Sequence, residues 1–196
     1  MKKSLIILVI IILIVLIAIA SLSGEYNKLV TLDESVQTAW SQVENVYQRR
    51  MDLIPNLIAT VKGEANFEQQ TLTQITEARA SATSMNVDVK DAQQMANFQS
   101  QQGGISQALG RLLVASENYP TLQANQAFSD LRVQLEGTEN RITTERMNYN
   151  NTAQTYNTAI RVFPTNILAS LFNFDRANLF EANNGAETAP VVDFTD

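Results

Sequence analysis

The chain has 196 residues, a formal charge of −6, and neither cysteine nor histidine. Disulfides, thiol nucleophiles, the usual zinc sites and every histidine-based acid–base arrangement are therefore excluded. The acidic balance gives no attraction for phosphate backbones, so no nucleic-acid partner is expected. No metal or cofactor site is legible either. Few prolines and glycines (4 and 7), and much Ala, Leu, Gln and Asn, favour helices over sheets.

Residues 1–4 form a short basic N-terminus carrying Lys2 and Lys3. Leu5–Ala20 is an unbroken apolar run that Ser21 and Leu22 extend to 18 residues. A spanning helix needs ~17 or more such residues, so the segment is expected to lie in lipid. Ala18-Ile19-Ala20 resembles a signal-peptide cleavage pattern, but the run exceeds the ~7–15 residues of a cleavable core. The lysines before the run would keep the N-terminus in the cytoplasm and place the remaining domain outside it. Single-pass insertion in the bacterial cytoplasmic membrane is the expected location.

Gly24 reads as a swivel between anchor and domain. From Tyr26, Leu29, Leu32, Val36, Ala39, Val43, Val46, Leu53 and Leu57 recur at steps of three and four. Trp40, Tyr47 and Ile54 widen that stripe. Pro55 lacks an N–H and should kink or locally break the helix, but Ile58 and Val61 continue the stripe, so one kinked helix ending near Lys62-Gly63 is expected. A second helix follows, with Leu72, Ile75, Ala78, Ala82 and Met85 on its apolar face and Asn66 as its cap.

The third helix is expected from about Val89 to Asn118, interrupted at Gly103-Gly104. Tyr119-Pro120 closes it. The fourth is expected from near Thr121 to Pro164, with Phe128, Leu131, Leu135, Ile142, Tyr149, Tyr156 and Phe163 on its core face. Asn166–Phe174 adds a helical turn or two. Residues 183–196 are small, polar and acidic, and read as a disordered tail. An antiparallel up-and-down four-helix bundle over residues 25–180, with long first and fourth helices, satisfies all of this.

Polar residues fall on that seam. Arg50, Thr138, Glu145 and Thr152 occupy core positions, and a buried charge needs a partner. If Tyr26 sits opposite Arg161, Arg50 is level with Gly137, flanked by Glu136 and Glu139. Arg49 and Arg50 are therefore expected to pair with Glu136 and Glu139, with Gly137 allowing close approach. Together with Pro55 they would set helix register. Solvated side chains are the bland alternative. A catalytic or divalent-ion role for the two glutamates lacks accompanying residues.

Longer motifs carry a resemblance. They are Tyr26-Asn27-Lys28-Leu29-Val30, Trp40-Ser41-Gln42-Val43-Glu44, and Gln48-Arg49-Arg50-Met51-Asp52-Leu53-Ile54-Pro55-Asn56-Leu57. Further along come Ala108-Leu109-Gly110-Arg111-Leu112 and Glu117-Asn118-Tyr119-Pro120. The last are Leu135-Glu136-Gly137-Thr138-Glu139-Asn140-Arg141-Ile142, Tyr149-Asn150, Tyr156-Asn157 and Phe163-Pro164. In these the chain resembles the LemA family of bacterial membrane proteins. The resemblance implies one N-terminal membrane helix and an up-and-down bundle. It implies no catalytic residue, and a magnetosome-associated member hints at membrane organisation.

The leading functional expectation is a non-catalytic membrane-anchored scaffold, held in lipid by residues 5–22 and meeting envelope proteins or copies of itself. The alternative is a ligand or signalling protein with a polar site near Arg50. A closed core there would favour the scaffold; a polar pocket of about 300 Å³ or more would favour the ligand site.

Overall fold

The computed structural model describes residues 2–63, 67–82 and 87–181. All secondary structure among them is helical. The long helices are α1 (Lys2–Lys62), α2 (Gln69–Ala82), α3 (Ala92–Ser116) and α5 (Gln126–Ala159). The short ones are α4 (Pro120–Gln123) and α6 (Thr165–Leu171). Asn66, Met85 and the tail 183–196 lie outside the described residues.

α1 and α5 run antiparallel as the main packed pair, from Trp40 beside Tyr149 to Arg50 on Glu139. α2 and α3 form a hairpin, with Phe67 against Tyr119 at one end and Arg111 bonded to Gln74 further along. The hairpin lies on α1 through Phe98, whose ring sits 5.2 Å from Trp40 and 5.1 Å from Tyr47. Lys90, before α3, pairs with Asp33 of α1 at 3.0 Å.

Several expected boundaries shift. α1 runs through Gly24, so no swivel breaks it there. α3 continues through Gly103-Gly104, because Gln102, Ile105, Ala108 and Leu109 bury its other face and outweigh two weak helix formers. Its start is set by Asp91, whose carboxylate accepts from the backbone N–H groups of Gln93 and Gln94. Those bonds, Gln94's first, hold the Asp91 carboxyl below the usual carboxylate range. The helix expected from Thr121 is divided at Ala124, and Asn125 caps α5 by accepting from Ala127 and Phe128. It stops at Ala159, and Phe163, expected in the core, is 80% exposed.

α1 continues through Pro55 and ends at Lys62, as the apolar stripe beyond the proline predicts. Proline leaves the carbonyl four residues earlier, that of Met51, without its usual donor. Arg79 of α2 supplies one, its Nε donating to Met51 O at 3.2 Å. Arg79→Met should therefore cost about 1.5 kcal/mol in denaturant unfolding. In a Pro55→Ala background, where residue 55 regains its N–H, the loss should shrink by half or more. An equal loss in both backgrounds would separate the proline from the arginine.

Among the described residues, no helix is long and apolar enough to cross a membrane. Within α1, however, the side chains at 2–5, 7, 14, 15 and 17–19 are not among those described. The ones that are, such as Ile6, Leu8, Val9, Ile10, Ile11, Ile12, Leu13 and Leu16, are all exposed.

Candidate functional site

α1 buries Val36, Trp40, Val43, Tyr47, Arg50, Ile54, Leu57 and Val61, a row stepping by four and three. Arg50 thus points inward, and it is among the largest fully buried side chains. Nη1 donates to Glu139 Oε1 of α5 at 2.8 Å and to Ser106 Oγ of α3 at 2.8 Å. Nη2 donates to the side-chain and main-chain oxygens of Gln102. The guanidinium also lies over the Tyr47 ring, 5.0 Å from its centroid. Its Nε is buried without a hydrogen-bond partner. One cation therefore ties α1, α3 and α5 together.

The expected four-residue cluster is not what forms. Arg49 is exposed, and Glu136 pairs instead with Arg132 of its own helix at 3.7 Å. Gly137 faces open space, where an added Cβ would meet nothing within 4 Å, so it mediates no close approach. Of the other seam residues, Thr138 is buried, its hydroxyl donating to Gln134 O, while Glu145 and Thr152 are only half-buried.

Beside Arg50 the packing opens into a cleft of about 710 Å³ between α3 and α5, with Arg50, Glu139, Thr143, Arg146, Gly103 and Gly104 on its walls. Neither glycine is explained by crowding, since a Cβ at either would meet nothing within 4 Å. Burial raises the Tyr47 hydroxyl's pKa at the cleft floor despite the neighbouring arginines, so it stays a neutral donor. The lining offers guanidinium, amide, hydroxyl and carboxylate groups, which suit binding by hydrogen bonds and charge.

One wall of the neighbouring groove is built from a feature that sequence reasoning missed. Residues 174–181 run extended along α5, fastened by side chains spaced seven apart. Asn157 donates to Ala177 O at 2.8 Å and accepts from Ala177 N at 2.9 Å. Asn150 does the same for Phe180, at 3.0 and 2.9 Å. Tyr156 and Tyr149 donate to the carbonyls of Asp175 and Asn178 at 2.8 and 2.7 Å. The Tyr149-Asn150 and Tyr156-Asn157 pairs are thus clamps, and burial pushes both tyrosine pKa values up. The strap seats Phe180 against Trp40 and Tyr149. Arg146, at the cleft mouth, stacks on Phe180 and bonds Glu181 O at 2.9 Å.

Comparison with known proteins places these features. Over an alignment of 193 residues the chain is 29% identical to Magnetosome protein MamQ 2 and to MamQ 1 of Paramagnetospirillum magneticum, covering 89% of this chain and 71% of each relative. It is 26% identical over 160 residues to Protein LemA of Metamycoplasma hominis, covering 82% of this chain and 70% of that one. The LemA family model matches residues 39–194, which takes in α2 to α6, the strap and the C-terminal part of α1 from residue 39 onward. On that match the chain belongs to the LemA family.

Proposed function

We propose that this protein is a non-catalytic, membrane-anchored binding module of the bacterial envelope. Residues 5–22 hold it in the cytoplasmic membrane, with the N-terminus inside and the helical domain outside. α1, α2, α3 and α5 act as an up-and-down bundle that presents the Arg50 cleft to a polar, hydrogen-bonding ligand or protein segment. The cleft carries this reading: at about 710 Å³ it exceeds the ~300 Å³ that separates a ligand site from filled packing. The sequence favoured a closed scaffold, and the open cleft shifts weight to binding. The apolar run supports the anchor, as does the magnetosome naming of its relatives.

The test is native mass spectrometry of the full chain released from the membranes that produce it. Wild type should retain a bound species that Gly103→Leu/Gly104→Leu, filling the cleft from an open helix face, releases at least tenfold. Thermal unfolding should show the variant folded, because leucine is the better helix former. No bound species, or one held equally by both proteins, would overturn the cleft as the binding site.

A further inference from the structure

The end of the domain next to the apolar run carries an unusual surface. Between α5 and the strap, Val162, Phe163, Ile167, Leu171 and Phe172 are all at least half exposed, Leu171 by 70%. Five large apolar side chains within eleven residues form a patch that water-facing surfaces rarely hold. α6 is two-sided: Leu168 and Ala169 pack inward while Ile167 and Leu171 point out.

Its place in the fold says what covers it. α6 lies against α1 where the apolar run ends. The Phe172 ring is 4.8 Å from Tyr26, and an apolar hollow of about 400 Å³ separates Leu22 and Tyr26 from Leu168 and Leu171. α1 is one uninterrupted helix, so the run Leu5–Leu22 projects directly past α6 for ~27 Å, about the thickness of a hydrocarbon core. Tyr26, Phe163 and Phe172 therefore sit where aromatic side chains gather at a membrane boundary. Arg161, exposed beside Val162, suits headgroup phosphates.

We propose that residues 162–172 are a second membrane contact. They form an apolar foot resting in the headgroup–acyl boundary around the point where α1 leaves the lipid. Anchor and foot together would fix the tilt of the domain, and so the direction in which the Arg50 cleft faces. The foot rests on the anchored reading above, and the experiment keeps the two apart.

The chain has no cysteine, so single cysteines can carry a nitroxide label without background. Labels at Phe163→Cys and Leu171→Cys are compared with Ile12→Cys in the apolar run and Val133→Cys at the far end of α5. The full chain is placed in vesicles of phosphatidylcholine and phosphatidylglycerol. Collision with oxygen, which enters lipid, is measured against a water-soluble nickel chelate. Labels at 163 and 171 should favour oxygen as the label at 12 does, while 133 favours the chelate. If 163 and 171 match 133 while 12 stays in lipid, the foot is wrong and the anchor stands. If all four favour the chelate, the anchor fails and the foot with it. If 163 and 171 are shielded from both reagents, a protein surface covers the patch and the lipid contact is overturned.

Discussion

Arg50→Ala lowers the stability of the full chain by about 3 kcal/mol or more, and Glu139→Ala by about 1–2 kcal/mol. The asymmetry follows from burial. Arg50 is 1% exposed, whereas the Glu139 side chain is 42% exposed. Removing the arginine empties a space of arginine size and takes away the donor that Gln102 and Ser106 both use. Removing the glutamate leaves the guanidinium its bonds to Gln102 and Ser106 and its seat on Tyr47, and solvent screens the rest. Chemical denaturation in detergent micelles, run as a double-mutant cycle with Arg50→Met and Glu139→Gln, should give a coupling of about 1 kcal/mol. Zero coupling would leave the 2.8 Å contact without an energetic role.

Asn157→Ala costs about 3 kcal/mol, the second large effect expected. The alanine leaves both the N–H and the C=O of Ala177 unpaired beneath the strap, at ~1–3 kcal/mol for each buried group. Asn150→Ala costs less, because its bonds to Phe180 are only part-buried. Loosening the strap also exposes Phe180 and bares the aromatic cluster around Trp40. Tryptic cleavage after Arg176 reports this directly and should speed up at least tenfold in Asn157→Ala. Unchanged cleavage with an unchanged melting temperature would mean that the strap is held by its aromatic side chains alone.

Helical periodicity makes much of the fold legible. The apolar spacing locates the four long helices, and the cost of burying a charge, with the antiparallel register, sets Arg49 and Arg50 opposite Glu136 and Glu139, of which only Arg50 and Glu139 pair across the helices. The details that escape have physical reasons. The buried row of α1 runs through Trp40, Tyr47, Ile54 and Val61, rather than through Leu32, Ala39, Val46 and Leu53. The Trp40 and Tyr47 rings take the centre of the interface in the N-terminal half of that row, and the smaller Ala39 and Val46 flank them. The strap has no periodicity, because it is extended and bound through side-chain amides. Its only signal is the Tyr-Asn pair repeated seven residues apart, which reads as core aromatics until the asparagines are seen to copy a backbone.

The cleft is the least legible feature. Gly103-Gly104 suggests a broken helix, since glycine weakens helices and nothing in one strand of sequence tells which way a glycine faces. In the folded chain the pair leaves α3 intact and opens its outer face. The stretch from Trp40 to Lys62 therefore does two things: the Met51 carbonyl, left without a helical donor by Pro55, accepts from Arg79 on one side, and Arg50 floors a cleft on the other.

Photo-crosslinking in intact membranes tests that cleft most directly. A benzophenone side chain is placed at Gln107 on the cleft wall, and in a second protein at Thr73 on the exposed face of α2. Gln107 should yield a discrete adduct that Thr73 does not give and that Gly103→Leu/Gly104→Leu abolishes. No adduct at Gln107, or the same adduct at both positions, would contradict a binding role for the Arg50 cleft.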